Sequence, residues 1–474
     1  MINLLTMKKF LKYFSGILAL LVSAAFFLLY LAAPVGSGYT AKYLCSHAFN
    51  SGQGPEEAME SFIKPVNPLF RFVRYKMDYQ KKEATASLWG FLRPATAVYR
   101  EGCGCTLLVD KSAEELKEQV AGLSVERPSL PDTIWPLGNR VNLQDIPPNV
   151  DIQKLNERLR REFEETTDDP KKRINTLAIA VAYQDKIIAE HYRPGIDEST
   201  PLLSWSASKS ITSALIGRLV QTRGLDIYRP VGFEEWKQDD RRSITIDHLL
   251  RMESGLAFDE RYAPLSEAVE MLYQSTDMGG YALAKPLEAE PGTQWSYSSG
   301  TTNILSKILF QQTGGDIRSL ETFAREELFH KLGMTTAIFE HDEAGAFVGS
   351  SYFYASTRDW LRFCLLYKNK GIWNGEQLLP EGWVDYSLRP TPHAPDGRYG
   401  AQIWLNAGEP GSDERLLPRL PDDTFAFEGY QDQWFIVIPS KSLMAARFGV
   451  SNGENWSIED LLLGIMEAID YSAE

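Results

Sequence analysis

Residues 13–33 carry no charge and are mostly apolar, and no other stretch limits the possible architectures as tightly. As a helix they extend about 31 Å, enough to cross the hydrocarbon core of a bilayer. A chain in lipid must satisfy its own backbone hydrogen bonds, so a helix is the form such a run takes. Lys8, Lys9 and Lys12 stand on its N-terminal flank. Positive flanks stay in the cytoplasm, which places everything after Pro34 outside and, in a bacterial cell, in the periplasm. The apolar core of a secretory signal is usually only about 7–15 residues. The expectation is therefore an uncleaved, single-pass signal-anchor in the inner membrane. Leu31-Ala32-Ala33 keeps open the alternative of secretion after cleavage. A buried core helix could carry the same run, but the terminal position and basic flank argue against it.

Beyond the anchor, 474 residues allow two or three domains, and an apolar fraction of 44% with 24% charged residues describes a folded chain. The net charge is −14, and basic residues do not cluster with aromatics beyond the extreme N-terminus, so nucleic acid is not an expected partner. Cys45, Cys103, Cys105 and Cys364 lack zinc-site spacing, and the six histidines show no paired ligand pattern. Neither a metal nor another cofactor is expected. An exported chain permits disulfides, with Cys45 joined to Cys105 or to Cys103, the former being the expectation.

Residues 38–150 are studded with prolines and read as irregular with short elements. Helical spacing follows at Ile152, Leu155, Leu159 and Phe163, then two strand-like runs at 176–183 and 187–192 form a hairpin. A long, mostly helical region reaches about residue 395. Strands return at 399–406, 434–438 and 443–448, and Ser457 with Asp460 opens a last helix. Strands at both ends enclosing helices suggest one mixed sheet with a helical insertion.

Ser206 and Lys209 occur at the mouth of an apolar-periodic run, Ile211, Ala214, Leu215 and Leu219, that Gly224 closes as a helix C-cap. Residues three apart share a helix face, so the amine can reach the hydroxyl one turn back. The helix N-terminus and burial both disfavour the ammonium and move the lysine toward the free base that a serine nucleophile needs. Alone, the pair reads better as a serine cap beside a lysine stem than as a catalytic pair. Two further segments add weight. The turn-rich run at 291–300 carries Tyr297, whose phenol could relay a proton if Lys209 lowered its pKa. The run at 428–434 leads into an apolar strand whose edge could offer a backbone N–H to an oxyanion beside that of Ser206.

Taken together and in order, the three segments resemble the serine β-lactamase and penicillin-binding-protein superfamily. The closer resemblance is to its class C-like branch, which includes esterases and the aminohexanoate-dimer (nylon-oligomer) hydrolases. AKYLCS at 41–46, TAVYREGCGCTL at 96–107, SWSASKS at 204–210, HLLRMESGL at 248–256, WSYSSGTTN at 295–303, STRDWLRF at 356–363, YGAQIWLN at 399–406 and the segment at 428–441 carry it. The resemblance implies an α+β fold of β-lactamase/transpeptidase type, an antiparallel sheet flanked by helices with a mostly helical subdomain inserted, preceded here by one transmembrane helix. The expected division is 1–37 cytoplasmic tip and anchor, 38–150 an extension packed on the catalytic domain, and 151–474 the hydrolase domain. It also implies that Ser206 is acylated, that Lys209 and Tyr297 shuttle its proton, and that the backbone N–H groups of Ser206 and Gln433 form the oxyanion hole. The substrate is then a small amide or ester; the oligomeric state is left open.

Three positions depart from the family's habits. Ser299 stands where asparagine is common, Tyr430 where lysine or histidine is frequent, and Asp432 where glycine is usual. All three are expected to line the substrate cleft. A cleft-facing Asp432 would repel an anionic ligand unless it turned away or paired with Arg447, so poor penicillin hydrolysis is expected, with neutral or cationic amides or esters preferred. Two rivals remain. Gly449-Val450-Ser451-Asn452-Gly453 matches the nucleophile elbow of α/β-hydrolases, but that fold needs a histidine afterwards and the last one is His393. A catalytically weak or inactive penicillin-binding-like protein that binds cell wall is the other.

Overall fold

The computed structural model describes residues 4–123, 129–409, 411, 414–451 and 456–473. The helix extends well beyond the apolar run of 13–33. Helix α1 spans Leu4–Phe49 without interruption, with Pro34 inside it, so the expected boundary at residue 37 falls within a continuous helix. Its two halves differ in surroundings. Leu18, Leu21, Phe27 and Leu28 are exposed, whereas Tyr39, Ala41, Leu44 and Cys45 are buried.

The buried half lies against a four-stranded antiparallel meander of β1 (Val73–Asp78), β2 (Glu83–Leu88), β3 (Leu92–Arg100) and β4 (Gly104–Leu107). This corrects the irregular segment expected for 38–150. The prolines lie mostly in the connections, and Pro94 is near the start of β3, a place where its missing N–H is tolerated. Cys45 on α1 is joined to Cys105 on β4 by a disulfide. Lys42, Ser46 and Asn50 recur every four residues, so they share one face, and all three meet the buried Glu340. The Ser46 and Asn50 donors lie 2.8 Å from its Oε1, and the Cys105 N–H lies 2.6 Å from the same oxygen.

Helix α2 (Ile152–Arg161) precedes the main sheet, which is fully antiparallel rather than mixed. In its spatial order come β7 (Trp404–Leu405), β8 (Phe425–Gly429), β9 (Gln433–Ile438), β10 (Leu443–Gly449), β5 (Thr176–Tyr183) and β6 (Lys186–Tyr192). The hairpin of β5 and β6 matches its sequence reading. The strand expected at 399–406 shortens to two residues, and β8 was not foreseen.

Successive residues on a strand face opposite ways, and the two faces have separate covers. Ile179, Val181, Ile436, Ile438 and Ala445 pack with Leu155 and Leu159 of α2 and with Leu461 and Ile465 of the last helix, α6 (Ile458–Met466). Ala178, Ala180, Phe435, Val437 and Met444 turn toward the larger helical side. There lie α3 (Ser208–Arg223), α4 (Ser299–Thr313) and α5 (Thr357–Lys368). A sheet covered on both faces explains why β5 reads as an unbroken apolar run instead of an alternating one. Gly224 ends α3 at φ 67°, as its position in the sequence predicts.

Of the segment that mimics an α/β-hydrolase elbow, Asn452 and Gly453 lie outside the described residues. Ser451 is buried and donates to the Ile174 carbonyl at 2.6 Å. An antiparallel sheet and a serine spent on that bond leave the elbow reading without support.

Candidate active site

The chain enters the site through Ser204, whose N–H donates to the Phe353 carbonyl at 2.9 Å and whose Oγ accepts from Trp360 Nε1 at 2.8 Å. One turn of 3-10 helix, Trp205–Ala207, then precedes α3. Trp205 sits at φ 47°, a left-handed conformation that a bulky residue adopts only when its surroundings impose it. Ser206, the middle residue of this held turn, is left partly exposed. Strand β8 passes immediately behind it. A Cβ on Gly429 would lie 2.1 Å from the Ser204 carbonyl oxygen, so only glycine allows the strand this close to the turn.

Lys209 is 1% exposed on the first turn of α3. Its Nζ reaches three neutral oxygens: Ser206 Oγ at 3.0 Å, Ser299 Oγ at 3.1 Å and the Ser350 carbonyl at 3.0 Å. Burial lowers its pKa from 10.5 to about 8, while Glu260 and Glu428 act in the opposite direction. This is the direction expected from sequence. Tyr297 shares a hydrogen bond with the Ser206 side chain, and the ammonium lies 4.8 Å from its ring centroid. Its pKa, however, moves opposite to expectation. Burial raises it well above 10, with Tyr399, Glu428 and Glu260 adding to the rise, so the phenol stays neutral. Trp404 stacks on the Tyr297 ring at 5.4 Å and Tyr399 meets it edge-on at 5.7 Å.

Two carboxylates that the sequence did not single out converge here. Glu260 accepts from the Ser299 N–H at 2.7 Å and from Ser299 Oγ at 2.6 Å. Burial raises its pKa, and Lys209 and Ser299 oppose the rise. Glu428 is pushed up to about 7 by burial, with Asp432 adding and Lys209 opposing. Glu428 belongs to a segment already of interest. Glu260 lies in a loop without any pattern to mark it.

The third segment behaves differently from its reading. Gln431 and Asp432 both have left-handed backbones, at φ 64° and 63°, which accounts for the usual glycine at position 432. The Asp432 carboxylate has Trp434 Nε1 at 3.5 Å; burial raises its pKa and Arg447 opposes that rise. Arg447 also donates to the Asp432 carbonyl at 2.7 Å. The Asp432 charge is thus felt both by Arg447 and, on the side of the site, by Glu428. The Gln433 side chain braces the same turn, donating to the carbonyls of Tyr430 at 3.0 Å and Gln431 at 3.1 Å. Tyr430 meets the Trp205 ring edge-on at 5.7 Å and stacks on Tyr262 at 5.6 Å.

Away from the cleft, Cys103, Glu321 and His341 are buried with ligand-type atoms within 4.8 Å of one another, a convergence the scattered histidines did not reveal. Arg325 Nε donates to Glu321 at 2.7 Å, so a guanidinium already neutralises this carboxylate.

A two-faced antiparallel sheet, with a serine–lysine pair at the head of the buried helix beside it, defines the β-lactamase-like class of fold. The chain belongs to the β-lactamase family, whose sequence pattern matches residues 155–463. Over 280 residues it is 24% identical to a 6-aminohexanoate-dimer hydrolase of Paenarthrobacter ureafaciens, covering 54% of this chain and 68% of that protein. Among solved structures, a family VIII carboxylesterase aligns over 68% of this chain and 97% of its own at 15% identity, with a TM-score of 0.52. A Bacteroides dorei DSM 17855 protein described as a β-lactamase aligns over 68% and 99% at 17% identity, with a TM-score of 0.53. The structural likenesses concern the fold. The matched family region begins beyond α1 and the small sheet.

Proposed function

We propose that the protein is a membrane-anchored serine hydrolase that cleaves amides or esters through an acyl-enzyme on Ser206. The observation that carries this reading is the 3.0 Å approach of Lys209 Nζ to Ser206 Oγ, by a lysine whose burial brings its pKa to about 8. Ser206 Oγ attacks the substrate carbonyl and its proton passes to neutral Lys209. Tyr297, neutral and bonded to Ser206, relays that proton to the departing amine or alcohol as the carbonyl's bond to it breaks. Water then attacks the acyl-serine with the same groups in reverse, releasing the acid. The backbone N–H groups of Ser206 and Gln433 take the oxyanion. Ser299, Tyr430 and Asp432 border the substrate, and Asp432 acts on the charge environment through Glu428.

Substrate charge follows from Glu260 and Glu428, both close enough to act on the Lys209 ammonium. Their anions disfavour a carboxylate-bearing ligand such as penicillin, and neutral or cationic small amides or esters are preferred. The exposed apolar half of α1 serves as a single-pass anchor, residues 38–150 hold it to the catalytic domain at 151–474, and the body lies in the periplasm of a bacterial cell. The buried position of Ala33 within an unbroken helix supports retention over cleavage.

The test is labelling with a fluorophosphonate probe followed by peptide mapping. Mass added to the Ser206 peptide and lost in Ser206→Ala is expected. Labelling that survives that substitution would sink the assignment. A penicillin-binding protein without turnover would instead be acylated by benzylpenicillin and release no product.

A further inference from the structure

An apolar cavity of about 150 Å3 runs between the membrane-side half of the molecule and the site. Leu29 and Ala32 of α1, Phe70, Val269, Trp205 and Tyr430 are among the residues that line it. The inner wall is thus made by the residue preceding Ser206 and by the hairpin loop of β8 and β9. Tyr262, stacked on Tyr430, completes that wall and shares a hydrogen bond with the Ser299 side chain. Nothing in the acyl-enzyme scheme uses this space. An engineered apolar cavity of about this size stays dry and binds benzene, which sets the capacity at roughly six carbons.

The outer end coincides with a change in surface character. Upstream, α1 is bare apolar helix. Beside it, Leu69, Phe72, Trp89 and Phe91 are exposed, Phe91 at 74%. The Trp89 N–H donates to the Phe72 carbonyl at 2.8 Å, so these residues form one patch. Arg93 stacks on Tyr30 of α1 at 5.0 Å and Arg71 on Phe72 at 5.7 Å. Exposed aromatics with arginines at the end of an apolar helix are the composition of a membrane interface. Leu69 belongs both to this patch and to the cavity lining, so the cavity adjoins the patch.

We propose that the cavity takes the hydrocarbon chain of an amphiphile drawn laterally from the bilayer, and that the substrate is a long-chain acyl ester whose carbonyl is presented to Ser206. This inference rests on the membrane-anchored serine hydrolase reading. About six carbons of the chain fill the cavity between α1 and Trp205 and its remainder stays in the bilayer, while the polar leaving group stays in the aqueous cleft. Hydrolysis breaks the acyl C–O bond, forms the fatty acid from water and releases the alcohol. The stapling of α1 to the body through Cys45–Cys105 and Glu340 keeps both ends of the passage in register.

The experiment uses the full chain in phospholipid nanodiscs, with p-nitrophenyl butyrate and p-nitrophenyl dodecanoate as substrates. Gly36 lines the cavity in mid-helix, and a Cβ there meets Phe70 Cε1 at 3.6 Å, an ordinary van der Waals contact, so Gly36→Leu adds its volume at the cavity. Val269→Phe is a second filling variant from another helix. Each is expected to lower dodecanoate kcat/KM at least tenfold relative to wild type and to leave butyrate turnover and fluorophosphonate labelling within twofold. Equal loss on both esters, or no loss on either, overturns the proposal while leaving the nucleophile assignment intact. A binding arm reads the cavity without chemistry. Ser206→Ala protein is photolysed with a diazirine-bearing dodecanoyl ester, and crosslinks are expected on cavity-lining peptides and lost in Gly36→Leu. Crosslinks there, with no labelling of Ser206 in wild type, would retain the chain site and reject the hydrolase reading. Crosslinks confined to residues 13–28 would overturn the chain site.

Discussion

Lys42 and Lys209 are both almost completely buried, at 4% and 1% exposure, and burial lowers the pKa of each. Their partners separate them. Lys42 pairs directly with the Glu340 carboxylate, donates to Ser46 Oγ at 3.0 Å and lies 4.0 Å from the Tyr352 ring centroid. Lys209 meets only neutral oxygens, with its carboxylates acting from farther away. At Lys42 the Glu340 carboxylate opposes the effect of burial, and that ion pair seats α1 on the body. At Lys209 the bonded acceptors are neutral and the pKa falls to about 8, as the proposed base requires. Burial alone does not make a lysine reactive; the charge of the atom at hydrogen-bond distance decides it.

The sharpest break of this comparison is to delete each amine. Lys209→Ala is expected to slow fluorophosphonate acylation by about 10³-fold, the usual worth of a positioned base, with the fold retained. Lys42→Ala is expected to leave the acylation rate of folded protein unchanged. It should cost about 3–5 kcal/mol in urea unfolding, because Glu340 is left buried without its cation. A Lys42 variant that is stable but inactive, or a Lys209 variant that simply unfolds, would reverse the two roles.

Titration sharpens the contrast. Activity should climb about tenfold per pH unit below about 8 and level off above it, as Lys209 becomes neutral. Its folded pKa is below the unfolded value, so between about pH 8 and 10.5 the unfolded chain holds a proton the folded one has released. Stability gains a contribution as pH rises through that window, and Lys209→Met should remove it. Glu428→Gln deletes an anion that raises the Lys209 pKa, so the activity midpoint should shift to lower pH by a fraction of a unit. An upward shift would mean that Glu428 does not act on Lys209.

The smallest effect is expected at Asp432. Asp432→Gly relieves a left-handed backbone at φ 63° and removes a carboxylate that faces Trp434 and Arg447. Stability should change by no more than about 1–2 kcal/mol. The ratio of ester to benzylpenicillin kcat/KM should remain within threefold. A large gain in penicillin turnover would place that carboxylate in the substrate's path after all.

What the sequence determined by itself are features contained within a few residues. The three-residue spacing of Ser206 and Lys209, the glycine ending α3, the β5–β6 hairpin and the length of the apolar run follow from backbone periods of 3.6 and 2, and those periods are written locally. The prolines of 38–150 misled because propensity is local too, and α1 continues through Pro34 where the small sheet and Glu340 hold its second half. Tertiary structure alone brought Glu260 and Glu428 to Lys209, turned Asp432 toward Arg447, kept Tyr297 neutral and opened a cavity from α1 to Trp205. Through-space charge and empty volume depend on how segments hundreds of residues apart are registered against one another. No periodicity along a chain encodes that register, because it is set only when the two faces of the sheet and the stapled helix are packed together.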